Sequence, residues 1–158
     1  MIVPGKSIEG VNLGDSREIV EQKLGPPTKV GWSDGFYRGW RSYAYEEGIH
    51  SGIYIDFIDY GESYGPVDAI SVVKVPFKDS LFYNGKTKEG IGIGSSINDV
   101  HRIYGDPKYT MVQGNWIADF YCIYKKKFEI HYIDKMITTI FIGYFTPIEE
   151  DTLSCSAW

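Results

Sequence analysis

The sequence predicts an α+β fold, in which two tandem helix-plus-antiparallel-strand repeats share one curved sheet with the helices on one face. Three observations lead there. The stretch Gly5–Pro27, GKSIEGVNLGDSREIVEQKLGPP, recurs as Gly85–Pro107, GKTKEGIGIGSSINDVHRIYGDP, at a constant offset of 80 residues, and nine of the 23 aligned pairs are identical. Each copy carries the start and stop signals of a short helix. Each is then followed by segments rich in β-branched and aromatic residues, separated by turn formers. A chain of 158 residues is an ordinary single-domain length. Residues 1–158 are therefore expected to form one domain, with repeat 1 at 5–79, repeat 2 at 85–145 and a tail at 146–158.

Residues 1–14 read as an extended lead-in. Val11 and Leu13 alternate, as do Ile91 and Ile93 in the second copy, and both pairs look like anchors tucking a linker under the sheet. Residues 15–24 and 96–104 follow as helices. Asp15 or Ser16 is placed to cap the first, with Glu18 three residues after Asp15, and Ser96 followed by Asp99 repeats the arrangement. Ile19, Val20 and Leu24 in one copy, and Val100, Ile103 and Tyr104 in the other, form an apolar stripe at helical spacing. Gly25 and Gly105 stand where a left-handed residue ends a helix, and Pro27 and Pro107 prevent its continuation. A helix of about ten residues spans roughly 15 Å and is too short to persist alone in water, so each must pack on something.

The glycines of Gly90-Ile91-Gly92-Ile93-Gly94 precede a helix and invite a phosphate-loop reading. Neither GxGxxG nor a P-loop with its Lys-Ser/Thr is present, and the first copy has Asn12 at the middle position. The structural reading is therefore preferred.

In the first half, Lys29–Trp32 leads to a turn at Ser33-Asp34-Gly35 and a strand over Phe36–Tyr45, which ends at a Glu46-Glu47-Gly48 turn. Ile53–Ile58 is the next strand, Asp59–Pro66 a loop of turn formers, and Val67–Val75 the closing strand. In the second half the strands are Tyr109–Val112, Trp116–Tyr124, Phe128–Ile133 and Met136–Phe145. Turns at Gln113-Gly114-Asn115, Lys125-Lys126-Lys127 and Asp134-Lys135 separate them. Neither half can cover its own apolar side, so the strands are expected to pool into one sheet of about six to eight. The tail is acidic at Glu149-Glu150-Asp151 and ends in Trp158.

The signature GxxLGxSxxxVxxxLGxP runs through Gly10, Leu13, Gly14, Ser16, Val20, Leu24, Gly25 and Pro27, and again through Gly90, Ile93, Gly94, Ser96, Val100, Tyr104, Gly105 and Pro107. With the antiparallel segment that follows, it resembles the repeat of the beta-lactamase inhibitor protein. It is also similar to the SmpA/OmlA (BamE) outer-membrane lipoproteins, which carry one such unit. The resemblance implies a sheet with helices on one face and a second face able to grip a partner protein. The chain lacks the cysteine pair that the secreted inhibitor carries within each unit, and no binding residue is carried over from the family.

Composition narrows the function. The net charge of −5 and the acids Asp56, Asp59, Glu62 and Asp68, with no base among them, argue against nucleic acid and suit a basic protein partner, a toxin or an enzyme. No apolar run is long enough to span a membrane. No leader peptide is visible, so the expected location is cytoplasmic, or exported if a leader precedes this sequence. Cys122 and Cys155 make no disulfide framework and read as two reduced thiols. His50, His101 and His131 are scattered, without metal-ligand spacing. His131 and Glu129 sit on alternate positions of one strand and read as its solvent-facing half. There is no GxSxG elbow, no cofactor motif and no catalytic constellation, so no enzyme is expected.

Aromatic residues number 25, or 16% of the chain, and an exposed patch is expected from some of Trp32, Tyr37, Trp40, Tyr43, Trp116 and Tyr121. The leading expectation is a non-catalytic binding module, a small inhibitor or immunity-type protein. Its partner-binding residues would be Trp40, Tyr43, Asp56, Asp59, Glu62, Trp116 and Tyr121. An envelope assembly protein of the BamE-like kind is the alternative, followed by an enzyme or small-ligand carrier.

Overall fold

Eleven strands and two α-helices make up the computed structural model, which describes residues 1–34, 39–74 and 82–143, with the backbone alone at 33, 34, 39 and 40. Three two-residue strands come first: β1 (Ile2–Val3), β2 (Ser7–Ile8) and β3 (Val11–Asn12) pair as a small antiparallel sheet in the segment expected to be plain lead-in. Helix α1 (Arg17–Leu24) follows, then β4 (Lys29–Asp34), β5 (Gly39–Tyr45), one 3-10 turn at Gly48–His50, β6 (Ile53–Asp59) and β7 (Tyr64–Val73). Strand β7 starts three residues earlier than expected and takes in Gly65 and Pro66. The second half supplies α2 (Ile97–Tyr104), β8 (Tyr109–Gln113), β9 (Trp116–Ile123), β10 (Lys126–Ile133) and β11 (Met136–Gly143).

Eight strands form one antiparallel sheet in the order β4-β5-β6-β7-β11-β10-β9-β8. The four strands of the first half thus meet the four of the second at the β7–β11 seam, where Ile70 faces Ile142 and Val72 faces Ile140. The α+β expectation is overturned by this architecture. Each α-helix has only eight residues and buries no more than two of them, Val20 and Leu24 in α1 and Val100 in α2. The protein is mainly β, and its core is one face of the sheet.

Cross-strand partners point to the same side of a sheet. The row Val30–Tyr43–Ile55–Ile70–Ile142–Phe128–Tyr121 runs across seven strands, and apart from Val30 all its members are buried. Val20, Val100, Ile8, Val11 and Ile91 close over this side in the same apolar cluster. Burial of Val11 and Ile91, with Leu13 and Ile93 half-buried beside them, is the anchoring expected of the two lead-ins.

Matching devices hold the two helices. Ser16 Oγ accepts from the Ile19 N–H, and Ser96 Oγ accepts from the Asp99 N–H at 3.1 Å while donating to the Asp99 carboxylate at 2.9 Å. The cap of α1 is therefore Ser16, whereas Asp15 accepts instead from the Asn12 N–H and from Lys23. At the other ends, Gly25 and Gly105 have φ of +79° and +76°. Just upstream, Gly14 N–H bonds Val67 O and Val67 N–H bonds Asp15 O, both at 2.8 Å, while Gly94 N–H bonds Ile137 O and Ile137 N–H bonds Ser95 O, both at 2.9 Å. These clips fix each lead-in to a strand of the central seam. Gly14 and Gly94 have φ of +91° and +87°, with nothing within 4 Å of an added Cβ, so backbone conformation rather than space demands glycine there.

The lysine run was expected to be a turn. The turn is instead Tyr124-Lys125, with φ of +52° and +61°, as in a two-residue hairpin, and Lys126 and Lys127 begin β10. Cys122 is disulfide-bonded, which corrects the expectation of two reduced thiols. Cys155, Tyr37, the acidic tail and Trp158 lie outside the described residues.

Candidate partner-binding face

The opposite side of the sheet carries no helix among the described residues. One row crosses all eight strands there as Lys29–Ala44–Tyr54–Ser71–Phe141–Glu129–Phe120–Tyr109. The next row toward one sheet margin holds Ser42, Asp56, Ala69 and Gly143, and the next toward the other holds Val73, Thr139, His131 and Ala118. Small side chains dominate the middle of these rows and large ones stand around them. The outcome is a groove of about 1090 Å³ running from Ser42, Tyr54 and Asp56 over Ser71 and Thr139 to His131 and Trp116. Strands from both halves build it, so it exists only when the seam is closed.

Two charged arrangements sit on this face. Asp56 accepts from the Ser42 hydroxyl. Burial pushes its carboxyl above the ordinary aspartate range, with the nearby Asp68 adding to the shift, and the Ser42 hydrogen bond opposes them only in part. Glu129 is placed differently. Burial alone would raise it, but the hydrogen bond to His131 and the charge of Lys127, whose Nζ is 2.8 Å away, hold its carboxyl below the ordinary range. Lys127 itself stands 4.6 Å from the Phe141 ring centroid, and His131 meets the Trp116 ring edge-on at 5.1 Å.

The expected site residues separate onto different surfaces. Asp56 and Trp116 line the groove. Tyr43 and Tyr121 are only 3% and 5% exposed and lie on the helix-covered side, so they belong to the core rather than to an exposed patch. Tyr43 donates to Glu21 of α1 at 2.6 Å, and Tyr121 donates to the Gly105 carbonyl at 3.0 Å. Asp59 lies three residues beyond Asp56, on the other side of the strand, where it accepts from Arg41 Nε at 3.0 Å and from the Trp32 indole. Arg41 neutralises it, and Asp68 is buried, so of the four acids only Glu62 is fully exposed. Trp40 pairs with Ile58 through its backbone, and its side chain falls outside the described residues.

Sequence reasoning missed Tyr54, Ser71, Thr139 and Lys127. Nothing local marks a serine or threonine as groove floor; only cross-strand register does. His131, which lines the groove, and Glu129 beside it are a hydrogen-bonded, half-buried pair rather than a solvated strand face.

The fold and the groove define a class: an eight-stranded antiparallel sheet with one side closed by short helices and the other carrying no helix among the described residues. No family profile and no curated protein matches the chain. Among solved structures it is similar to a DUF4309 family protein, YjgB, from Bacillus subtilis subsp. subtilis str. 168, with a TM-score of 0.56 at 12% identity over 88% of this chain and 87% of that one. It is similar also to an extracellular protein containing an SCP domain from Bacillus anthracis str. Ames, with a TM-score of 0.53 at 11% identity, covering 96% of this chain but only 57% of that one. A candidate beta-lactamase inhibitor protein from Streptococcus mutans matches at a TM-score of 0.32 and 13% identity, over 89% of this chain and 90% of that one. The first two likenesses show the fold alone, and the third is too loose to carry an argument. No helix among the described residues is long and apolar enough to cross a membrane.

Proposed function

We infer that the protein is a non-catalytic binding module, a small inhibitor or immunity-type protein that holds a partner protein against the side of its sheet that carries no helix among the described residues. The groove crossing the central strands carries this reading. It is wide, shared between the two halves, floored by small side chains and edged by Tyr54 and Trp116, the kind of surface on which an aromatic-rimmed protein contact forms. The duplicated 23-residue stretch supports the same view, since it accounts for a platform assembled from two copies of one building block. Filling the groove with Ser71→Trp should abolish retention of a partner from the cell extract of origin, while Asp59→Asn, on the other side, should not. Retention of no protein by the wild type, or undiminished retention by Ser71→Trp, overturns the reading.

A second reading, an exported envelope assembly protein, is favoured by the disulfide at Cys122, because such bonds persist in oxidising compartments. Alkylation of the protein in intact cells before reduction separates the two. A blocked thiol at Cys122 supports export, and a fully reactive one supports the cytoplasm.

A further inference from the structure

Of the two acids lining the groove, Asp56 and Asp134, Asp134 is exposed and Asp56 is the half-buried one. Its carboxylate is half-buried in the groove wall, and the Ser42 hydroxyl is its only hydrogen-bond partner among the described residues. Three other carboxylates near this sheet have cations: Lys127 on Glu129, Arg41 on Asp59, and Lys29 on Glu46. None of these cations reaches Asp56, and the charge that acts on it is Asp68, another acid. A carboxylate taken from water without a counter-charge is costly. One with a free lone pair turned toward an open groove is complemented by a cation arriving from outside.

We propose that the groove takes an extended segment of the partner protein carrying a lysine or arginine, whose charged head is received by Asp56 and Ser42 with Tyr54 alongside. This rests on the docking reading above and specifies its chemistry. The groove beyond Asp56 is suited to the flanking residues of such a segment: Ser71 and Thr139 offer hydroxyls along the floor, and Trp116 offers an apolar edge at the far end. Lys74 and His131 also line the groove, and its other acid, Asp134, accepts from Asn115 Nδ2 at 3.1 Å.

The test is selection from a random dodecapeptide library on the immobilised wild-type protein. Enriched peptides are expected to share a Lys or Arg at one position. Replacing it by norleucine in a synthetic peptide should weaken binding at least about tenfold. Asp56→Asn should weaken the parent peptide equally, and on that variant the norleucine change should cost nothing further, as a double-mutant cycle requires for a direct contact. Glu18→Gln, which changes net charge by the same amount on exposed α1 and outside the groove, should leave binding unchanged. Peptides that bind in the groove without a shared cation, or that ignore Asp56→Asn, overturn the proposal and leave the docking reading standing. Failure to enrich any peptide, or full binding to Ser71→Trp, overturns both. If Ser71→Trp does not fold, backbone amide shifts at Tyr54, Asp56, Ser71 and Thr139 on adding peptide to the wild type decide the location. Shifts confined elsewhere count against both.

Discussion

Asp56 and Glu129 are two carboxylates on the same side of one sheet, and their surroundings drive them in opposite directions. Asp56 has a hydroxyl and a neighbouring acid; Glu129 has a lysine and a histidine. The folded protein holds a proton on Asp56 to higher pH than the unfolded chain does, so this group weakens the fold progressively as pH rises through its raised pKa. Asp56→Asn is accordingly expected to gain about 1 kcal/mol at neutral pH and less in mild acid. Urea unfolding of both proteins across that range measures it, and an equal or opposite change at neutral pH would refute it. Glu129 carries the reverse sign. Its folded pKa is depressed, so its contribution is complete above the unfolded value of 4.5 and is lost as pH falls through the folded value. Glu129→Gln should cost about 1–2 kcal/mol at pH 7 and flatten the acid limb of the stability curve. A wild-type steepness below pH 4.5 in that variant would show that Glu129 does not cause it.

Helix ends were readable from the chain and strand faces were not, for a physical reason. Capping is local: Ser16 and Ser96 act on amides three residues away, and Gly25 and Gly105 need only their own φ. Replacing either serine by alanine should cost about 1 kcal/mol, read from denaturant midpoints. The clasps on the helix C-termini are not local. Tyr45 donates to the Gly25 carbonyl at 2.9 Å and Tyr121 to the Gly105 carbonyl at 3.0 Å, yet these tyrosines fall at a different offset from the glycines they serve. Alternation showed that Tyr43 and Tyr121 belong to one face of a strand. It could not show which face the helices would cover, because large apolar residues occur on both. Register shifts beside Phe57 and Tyr132 blur the alternation further. The edge strand β8 poses its own hazard. All five of its residues are exposed and none is charged, and Val112 is 67% exposed. Bare apolar edges template pairing with other chains. Val112→Lys should therefore raise the concentration at which the protein aggregates severalfold while shifting stability by less than about 0.5 kcal/mol. Light scattering against concentration is the check, and unchanged aggregation would clear β8.

At the scale of the molecule, the seam between β7 and β11 decides whether there is one folding unit or two. Each half contains a helix, four strands and a lead-in clipped to its own seam strand, and so has the parts of a small domain. Separating the halves would nonetheless expose Ile70, Val72, Ile140 and Ile142, all fully buried, and leave a row of unpaired backbone groups on each seam strand. Losing that burial costs several kilocalories per mole from the side chains alone, comparable to the stability of a small domain. The halves should thus unfold together. Trp32 reports on the first half and Trp116 on the second, so variants keeping only one of these and replacing the other three tryptophans allow each half to be followed by fluorescence. Coincident denaturation midpoints are expected, and Ile140→Ala, costing about 2–5 kcal/mol, should move both by the same amount although it lies in the second half. Midpoints that separate, or that respond only in the half mutated, would mean that the halves are independent bodies. The groove, whose floor joins Ser71 of one half to Thr139 of the other, would then not persist as a fixed surface, and a partner held across it would be held by a hinge.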